Sequence, residues 1–361
     1  MMRILIIKLS SIGDVVHTLP TLAAIREALP RAEISWAVER RAAEILRDNP
    51  FIDRLIEVDT KALRRLRLPD GETLLAPRQQ LRQLRASAFD LTLDFQGLFK
   101  SALIARLSGA PRRFGFASPA LREPLSRLLH TKSLPGPMRA HVIEKNLALA
   151  ARALGIAVPV RGEDFGFPIN ISEEHRREAE EAMRPAGDDF AILNPGGGWV
   201  TKLWGAERFA ALADELWTHY GLRSLVTYGP GEEELARRVE TSARSGKARA
   251  VRLSLKSFVA LAQRTRLYVG GDTGPTHLAV AARAPIVGLF GPTEWWRNGS
   301  PRPDDLCVER FDINCRENCH RRQCGEWVCL DVEVGRVLAA AGERLRRAGA
   351  QSAFAEAIVD A

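Results

Sequence analysis

Three short stretches combine residue types suited to moving a proton or holding an anion. The first is Lys8-Leu9-Ser10-Ser11-Ile12-Gly13-Asp14-Val15-Val16-His17. Gly13 reads as the point of a tight turn, and Asp14 as a carboxylate entering a helix start. The helix dipole keeps a carboxylate ionised there, whether it serves as a base or only caps the helix. His17 lies one helical turn on, so it can share the face of Asp14. The second stretch is Asn194-Pro195-Gly196-Gly197-Gly198-Trp199-Val200-Thr201-Lys202. Consecutive glycines let backbone N–H groups approach a ligand, and Lys202 can neutralise a phosphate as a point charge. The third is Gly270-Gly271-Asp272-Thr273-Gly274-Pro275-Thr276-His277. Thr273 and Gly274 open a helix, which makes their N–H groups an anion site. Asp272 is placed to accept from sugar hydroxyls.

These loops need elements to hold them. Arg3–Ile7 reads as a buried strand, short and apolar after its first residue. Residues 16–29 read as a helix in which Pro20 fits only the first turn. Glu33–Val38, Arg54–Val58 and Leu91–Phe95 continue a strand–helix alternation. A Gly/Pro-rich connector follows at residues 155–172. The alternation then resumes with strands at Phe190–Asn194, Ser224–Tyr228, Leu267–Gly270 and Ile286–Phe290. Such alternation predicts two doubly wound α/β domains, 1–165 and 166–335, with a helical tail at 336–361. Ligands of such sheets bind beyond the carboxyl ends of the strands, where all three loops fall. Neither the dinucleotide-binding Gly-x-Gly-x-x-Gly nor the Walker phosphate loop occurs, so NAD chemistry and ATP hydrolysis lack their signatures.

The chain has 361 residues and a net charge of +8. Residues 1–165 carry 26 Lys and Arg against 17 Asp and Glu, whereas 166–361 carry 26 against 27. The basic excess therefore lies in the first half, which points to an anionic partner there. Residues 61–85 concentrate it, with Arg64, Arg65 and Arg67 among seven cations. Nucleic acid is disfavoured, because residues 59–88 hold no aromatic side chain on which bases would stack. Five cysteines argue against a secreted disulfide framework. No apolar run approaches the ~18 residues of a membrane span. These features predict a cytoplasmic protein in which any membrane contact is peripheral. Cys315, Cys319, Cys324 and Cys329, with His320, are candidate zinc ligands. They lack a Cys-x2-Cys pair, so free thiols are the favoured reading.

Lys8–Pro20, reading KLSSIGDVVHTLP, resembles the opening motif of family 9 glycosyltransferases in the form typical of lipopolysaccharide heptosyltransferase I. Gly271–Leu278, Gly288–Thr293, Arg122–Leu125 and Asp94–Leu98 resemble further family segments in the right order. The resemblance implies a GT-B fold of two Rossmann-like domains facing a cleft, with the acceptor on the first and the nucleotide sugar on the second. It implies inverting transfer from ADP-heptose to Kdo-lipid A or the inner core of lipopolysaccharide, at the inner face of the inner membrane. No metal or cofactor is implied, and no Asp-x-Asp pair is present to carry a divalent ion. By the same resemblance Asp14 is the general base. Ser11, Gly13, His17, Arg64, Arg65 and Arg67 are candidates for acceptor binding. Lys202, Asp272, Thr273, Gly274, His277, Gly197, Gly198 and Glu232 are candidates for the donor, Glu232 on the ribose. Pro195–Gly198 departs from the type I pattern, which often carries threonines. The cysteine cluster resembles the type II branch, so another family 9 activity is the alternative.

Overall fold

In a computed structural model the chain is described at residues 1–59, 82, 84–117, 121, 123–315, 319 and 321–359, with side chains to residue 350. It divides into two compact units, Met1–Asn170 and Ile171–Ala361. The division falls a few residues beyond the 165/166 boundary read from the connector.

The first unit carries strands β1 (Arg3–Ile7), β2 (Glu33–Glu39), β3 (Arg54–Val58), β4 (Leu91–Asp94), β5 (Arg112–Phe116) and β6 (Lys132–Leu134). Their spatial order is β3-β2-β1-β4-β5-β6, with every pairing parallel. Ile4–Ile7 of β1 are fully buried because the strand is central and covered on both faces. The helix expected over residues 16–29 is broken into α1 (Ile12–Val16) and α2 (Leu19–Ala28). Pro20 lies in the first turn of α2, where its missing N–H removes no helical bond. Helices α3 (Arg40–Leu46), α4 (Phe99–Leu107) and α5 (Val142–Leu154) also belong to this unit, α5 stopping at left-handed Gly155.

The second unit repeats the plan. Strands β7 (Phe190–Asn194), β8 (Arg223–Tyr228), β9 (Ala248–Arg252), β10 (Leu267–Gly271), β11 (Ile286–Leu289) and β12 (Leu306–Val308) run in the order β12-β11-β10-β7-β8-β9. Read from its own first strand, each sheet is ordered 3-2-1-4-5-6, the Rossmann order. Its helices are α6 (Glu173–Met183), α7 (Ala206–Tyr220), α8 (Glu233–Ser242), α9 (Leu255–Ala262), α10 (Gly274–Ala281), α11 (Trp295–Asn298) and α12 (Val334–Val359). The expected tail is α12, and it belongs to this unit. Val337 and Ala341 are buried in the core, and Arg344 Nε donates to Asp305 Oδ1 at 2.8 Å. Asp305 also accepts from Ile286 N–H at the start of β11, so the last helix is pinned to the sheet.

Candidate active site

In a 3-2-1-4-5-6 sheet the strand order reverses between the first and fourth strands, which opens a crevice at their carboxyl ends. In the first unit that crevice lies between β1 and β4. The loop leaving β1 is fastened to the segment leaving β4. Lys8 Nζ donates to Phe95 O at 2.8 Å, and Gln96 Oε1 accepts from Leu9 N–H at 2.9 Å and Ser10 N–H at 3.2 Å. Asp94 holds the second segment from beneath. It is fully buried and accepts from Ser101 Oγ and the N–H groups of Gln96 and Gly97. His130 Nε2 stands 3.1 Å from Asp94 Oδ2, the oxygen that accepts from Ser101.

Asp14 sits on this frame, at the third position of α1. Ser11 is the N-cap, so Asp14 itself is not a capping residue of the simple kind. Its Oδ2 accepts from Ser11 N–H at 2.9 Å and Ser11 Oγ at 3.1 Å, closing a capping box. Its Oδ1 lies 3.3 Å from the ammonium of Lys8, whose side chain is only 5% exposed. The carboxylate keeps 39% of its own surface open. Burial pushes its pKa up, but the Lys8 charge and the Ser11 hydrogen bonds outweigh that and hold it below the usual carboxylate range. Gly13 does not make the expected turn. It lies inside α1 and is not among the residues of positive φ, and it is buried. His17 is buried at the end of α1, its ring 5.4 Å from that of His141 and nearly perpendicular to it. Asn146 Nδ2 donates to His17 O, tying this helix end to α5. Arg64, Arg65 and Arg67 lie outside the described residues.

The second crevice lies between β7 and β10, and Lys202 spans it. The residue ends the 3₁₀ turn Val200–Lys202, and its ammonium donates to Asp272 Oδ2 at 2.7 Å and Asp272 O at 2.9 Å. Asp272 also meets His277 Nε2 at 3.2 Å and accepts from Asn298 Nδ2 at 3.3 Å. Burial pushes the Asp272 carboxyl up, but the His277 contact and the Lys202 charge hold it well below the usual range. Thr273 is the N-cap of α10, and its side chain makes no cap bond. Pro275 brings no N–H and His277 N–H donates to Thr273 O, so helix geometry leaves the N–H groups of Gly274 and Thr276 without a helical acceptor.

The glycine loop behaves differently from expectation. Gly197 N–H is committed to Glu232 Oε1 at 3.1 Å, while Glu232 Oε2 accepts from Gly229 N–H at 2.9 Å. Glu232 thus joins the loops after β7 and β8. Gly196 is required by this contact, since a Cβ there would stand 2.3 Å from Glu232 Oε1. Around Gly198 a Cβ would meet nothing within 4 Å, so this glycine borders open space.

The cysteine segment supports the same loop. Cys315, Cys319, Cys324 and Cys329 line one small cavity with Thr201. Thr201 Oγ donates to Arg321 O at 2.7 Å, and Trp327 Nε1 donates to Thr201 O at 3.1 Å. Among the described residues no group of three or more His, Cys, Asp or Glu is placed to hold a metal ion. The Cys329 thiol is pushed up, by burial first and by the neighbouring sulfurs after it. Sequence reasoning did not give Lys8, Gln96 or Asn298 a site role. Lys8 and Gln96 both stand in the family-like segments, and their polar side chains beside buried strands were the available signal.

The model of glycosyltransferase family 9 (heptosyltransferase) matches residues 78–326. The chain belongs to glycosyltransferase family 9. Lipopolysaccharide heptosyltransferase 1 of Pseudomonas aeruginosa is 33% identical to it over 294 residues, covering 81% of this chain and 79% of that protein. The heptosyltransferase 1 of Escherichia coli K12 is 31% identical over 301 residues, covering 81% and 89%. Among solved structures, E. coli heptosyltransferase WaaC with ADP-2-deoxy-2-fluoro heptose superposes with a TM-score of 0.71 at 26% identity, covering 85% of this chain and 93% of that one. With two Rossmann-like units in one chain, this family 9 glycosyltransferase has the GT-B fold.

Proposed function

We propose that this family 9 enzyme transfers a heptose from ADP-heptose to the Kdo region of lipid-linked lipopolysaccharide inner core. The observation that carries the reading is the buried Lys202–Asp272–His277 cluster at the β7/β10 crevice, beside the open first turn of α10. A cation and helix N–H groups converge there, as a leaving diphosphate requires. The sugar-diphosphate bound to the similar WaaC and the heptosyltransferase 1 names of its relatives supply the donor.

In the proposed reaction an acceptor hydroxyl oxygen bonds to the anomeric carbon as the bond from that carbon to the ADP oxygen breaks. The hydroxyl proton passes to Asp14, and the anomeric configuration inverts. Lys8 and Ser11 keep Asp14 ionised at neutral pH, which also makes it a weak base. A weak base suffices when the anomeric carbon has oxocarbenium character, because the electrophile then drives the step. Lys202 and the α10 N-terminus stabilise the charge gathering on the diphosphate. Ser11 and His17 border the acceptor, with Gly13 allowing close approach, and Glu232 orients the ribose with the oxygen capacity its two N–H donors leave.

Working on a lipid-linked acceptor places the enzyme at the cytoplasmic face of the inner membrane as a peripheral protein. Among the described residues no helix is long and apolar enough to cross a membrane. The test is incubation with ADP-heptose and Kdo-lipid A, followed by mass spectrometry of the lipid. One added heptose per lipid, with ADP released, is expected. Transfer from a different nucleotide sugar, and none from ADP-heptose, would overturn the reading.

A further inference from the structure

The 3₁₀ helix Pro124–Leu129 between β5 and β6 turns its large side chains the wrong way for a packed element. In a 3₁₀ helix residues three apart eclipse one another. Ser126 and Leu129 form the inward edge, Ser126 fully buried. Leu125 and Leu128 form the outward edge and are 71% and 72% exposed. Phe99, at the start of α4, is 50% exposed and belongs to the same neighbourhood, since its N–H donates to Glu123, the N-cap of the 3₁₀ helix.

The charge of this stretch of sequence is one-sided, although Lys100 beside Phe99 is paired with Glu39 of β2. Residues 99–139 contain eight Lys and Arg and a single acid, Glu123. That acid is already engaged by Phe99 N–H. Arg127 is exposed beside the two leucines, and Lys132 is exposed on the strand that follows. Neither makes an ion pair with a described carboxylate. Arg113 donates to Leu129 O at 3.0 Å and fixes the helix end to β5.

The patch is also joined to the acceptor crevice. Phe99 follows Gln96 by three residues, and Gln96 holds the loop that carries Asp14. From these relations we infer that Leu125, Leu128 and Phe99, with exposed Arg127 and Lys132 on the same stretch of chain, dock the first unit on an anionic lipid bilayer. Apolar side chains entering the interface and cations meeting lipid headgroups are the two signals that hold a peripheral protein. Docking at this face sets the Asp14 loop beside the membrane in which a lipid-linked acceptor is embedded. The inference deepens the proposed function and rests on its lipid-linked acceptor.

The experiment is co-sedimentation of the full chain with vesicles of phosphatidylglycerol and phosphatidylcholine, or phosphatidylcholine alone, without donor or acceptor. Wild type should bind the anionic vesicles and bind neutral ones far less. Leu125→Ser with Leu128→Ser should weaken binding by about tenfold or more, the scale of losing buried leucine surface. Arg127→Gln with Lys132→Gln should weaken it by about fivefold per charge at low salt. All four side chains are exposed, and an unchanged melting temperature checks the fold. In transfer assays the Leu pair should raise KM for acceptor held in vesicles and leave a deacylated acceptor unaffected. Equal vesicle binding by wild type and the Leu pair overturns the docking surface. Vesicle binding without heptose transfer to either acceptor would overturn the proposed function and leave the surface standing.

Discussion

Lys202 and Asp272 meet across the strand-order reversal of the second sheet, the ammonium 2.7 Å from the carboxylate, with side chains only 13% and 6% exposed. Each residue leaves a different central strand, so the pair can form only when β7 and β10 lie side by side. Lys202→Ala should weaken ADP binding by ~1–3 kcal/mol, the value of a hydrogen bond to a charged group. It also takes the ammonium from a buried carboxylate that keeps His277 and Asn298 as side-chain partners, and stability should fall by ~1–3 kcal/mol. Calorimetry with ADP and chemical denaturation measure the two separately. Unchanged ADP affinity would remove Lys202 from the donor site.

The same pair predicts an acid response. The folded-state pKa of Asp272 lies below its unfolded value of about 3.9. Its stabilisation is therefore complete above that value and fades as the pH falls toward the folded-state value. Asp272→Asn should flatten this limb of a stability profile measured from pH 6 down to pH 3. A variant profile parallel to that of wild type would contradict the assignment.

Asp14→Ala should cut turnover by ~10²–10⁴ while ADP affinity stays nearly intact. The loss should be in kcat, since the carboxylate acts on the acceptor proton. Lys8→Met removes the charge that keeps Asp14 ionised, so the Asp14 pKa rises. A base must be deprotonated to act, and the acid limb of kcat/KM should move to higher pH in this variant. An acid limb left where it was would mean that another group titrates there.

Gly196→Ala tests the link between the two donor loops. The new Cβ would displace the Glu232 carboxylate, breaking its bonds to Gly197 and Gly229. ADP affinity should fall about tenfold or more, with a stability loss of ~1–3 kcal/mol from the carboxylate hydrogen bonds broken. Gly198→Ala, in open space, should be near neutral. Equal effects of the two would refute a specific role for Gly196.

Replacing Arg64, Arg65 and Arg67 by Gln tests the basic stretch read from sequence. Screening shortens from about 10 Å at 0.1 M salt to about 3 Å at 1 M. If these arginines attract the acceptor, the triple variant should raise acceptor KM at low salt and flatten its salt dependence. Parallel KM-against-salt curves would assign the attraction elsewhere, with Arg127 and Lys132 the next residues to test.

The sequence by itself determined the two α/β halves, because central strand segments such as Ile4–Ile7 and 190–193 must be apolar on both faces. It also showed that the segments carrying Asp14, Lys202 and Asp272 follow strand ends, since loops there keep glycines and charges that a core would reject. It did not reveal the strands β5, β6, β9 and β12. These lie at or beside sheet edges and are short or partly exposed, and two of them, Arg112–Phe116 and Ala248–Arg252, carry arginines. Only the tertiary structure decided how the loops pair. Lys8 reaches Phe95, and Gln96 reaches Leu9, because β1 and β4 are neighbours despite the chain between them. Glu232 spends two acceptor sites on glycine N–H groups, which spacing could not foretell. Contacts between distant segments follow from sheet order, and that order is set by packing of the whole domain, which no local pattern records.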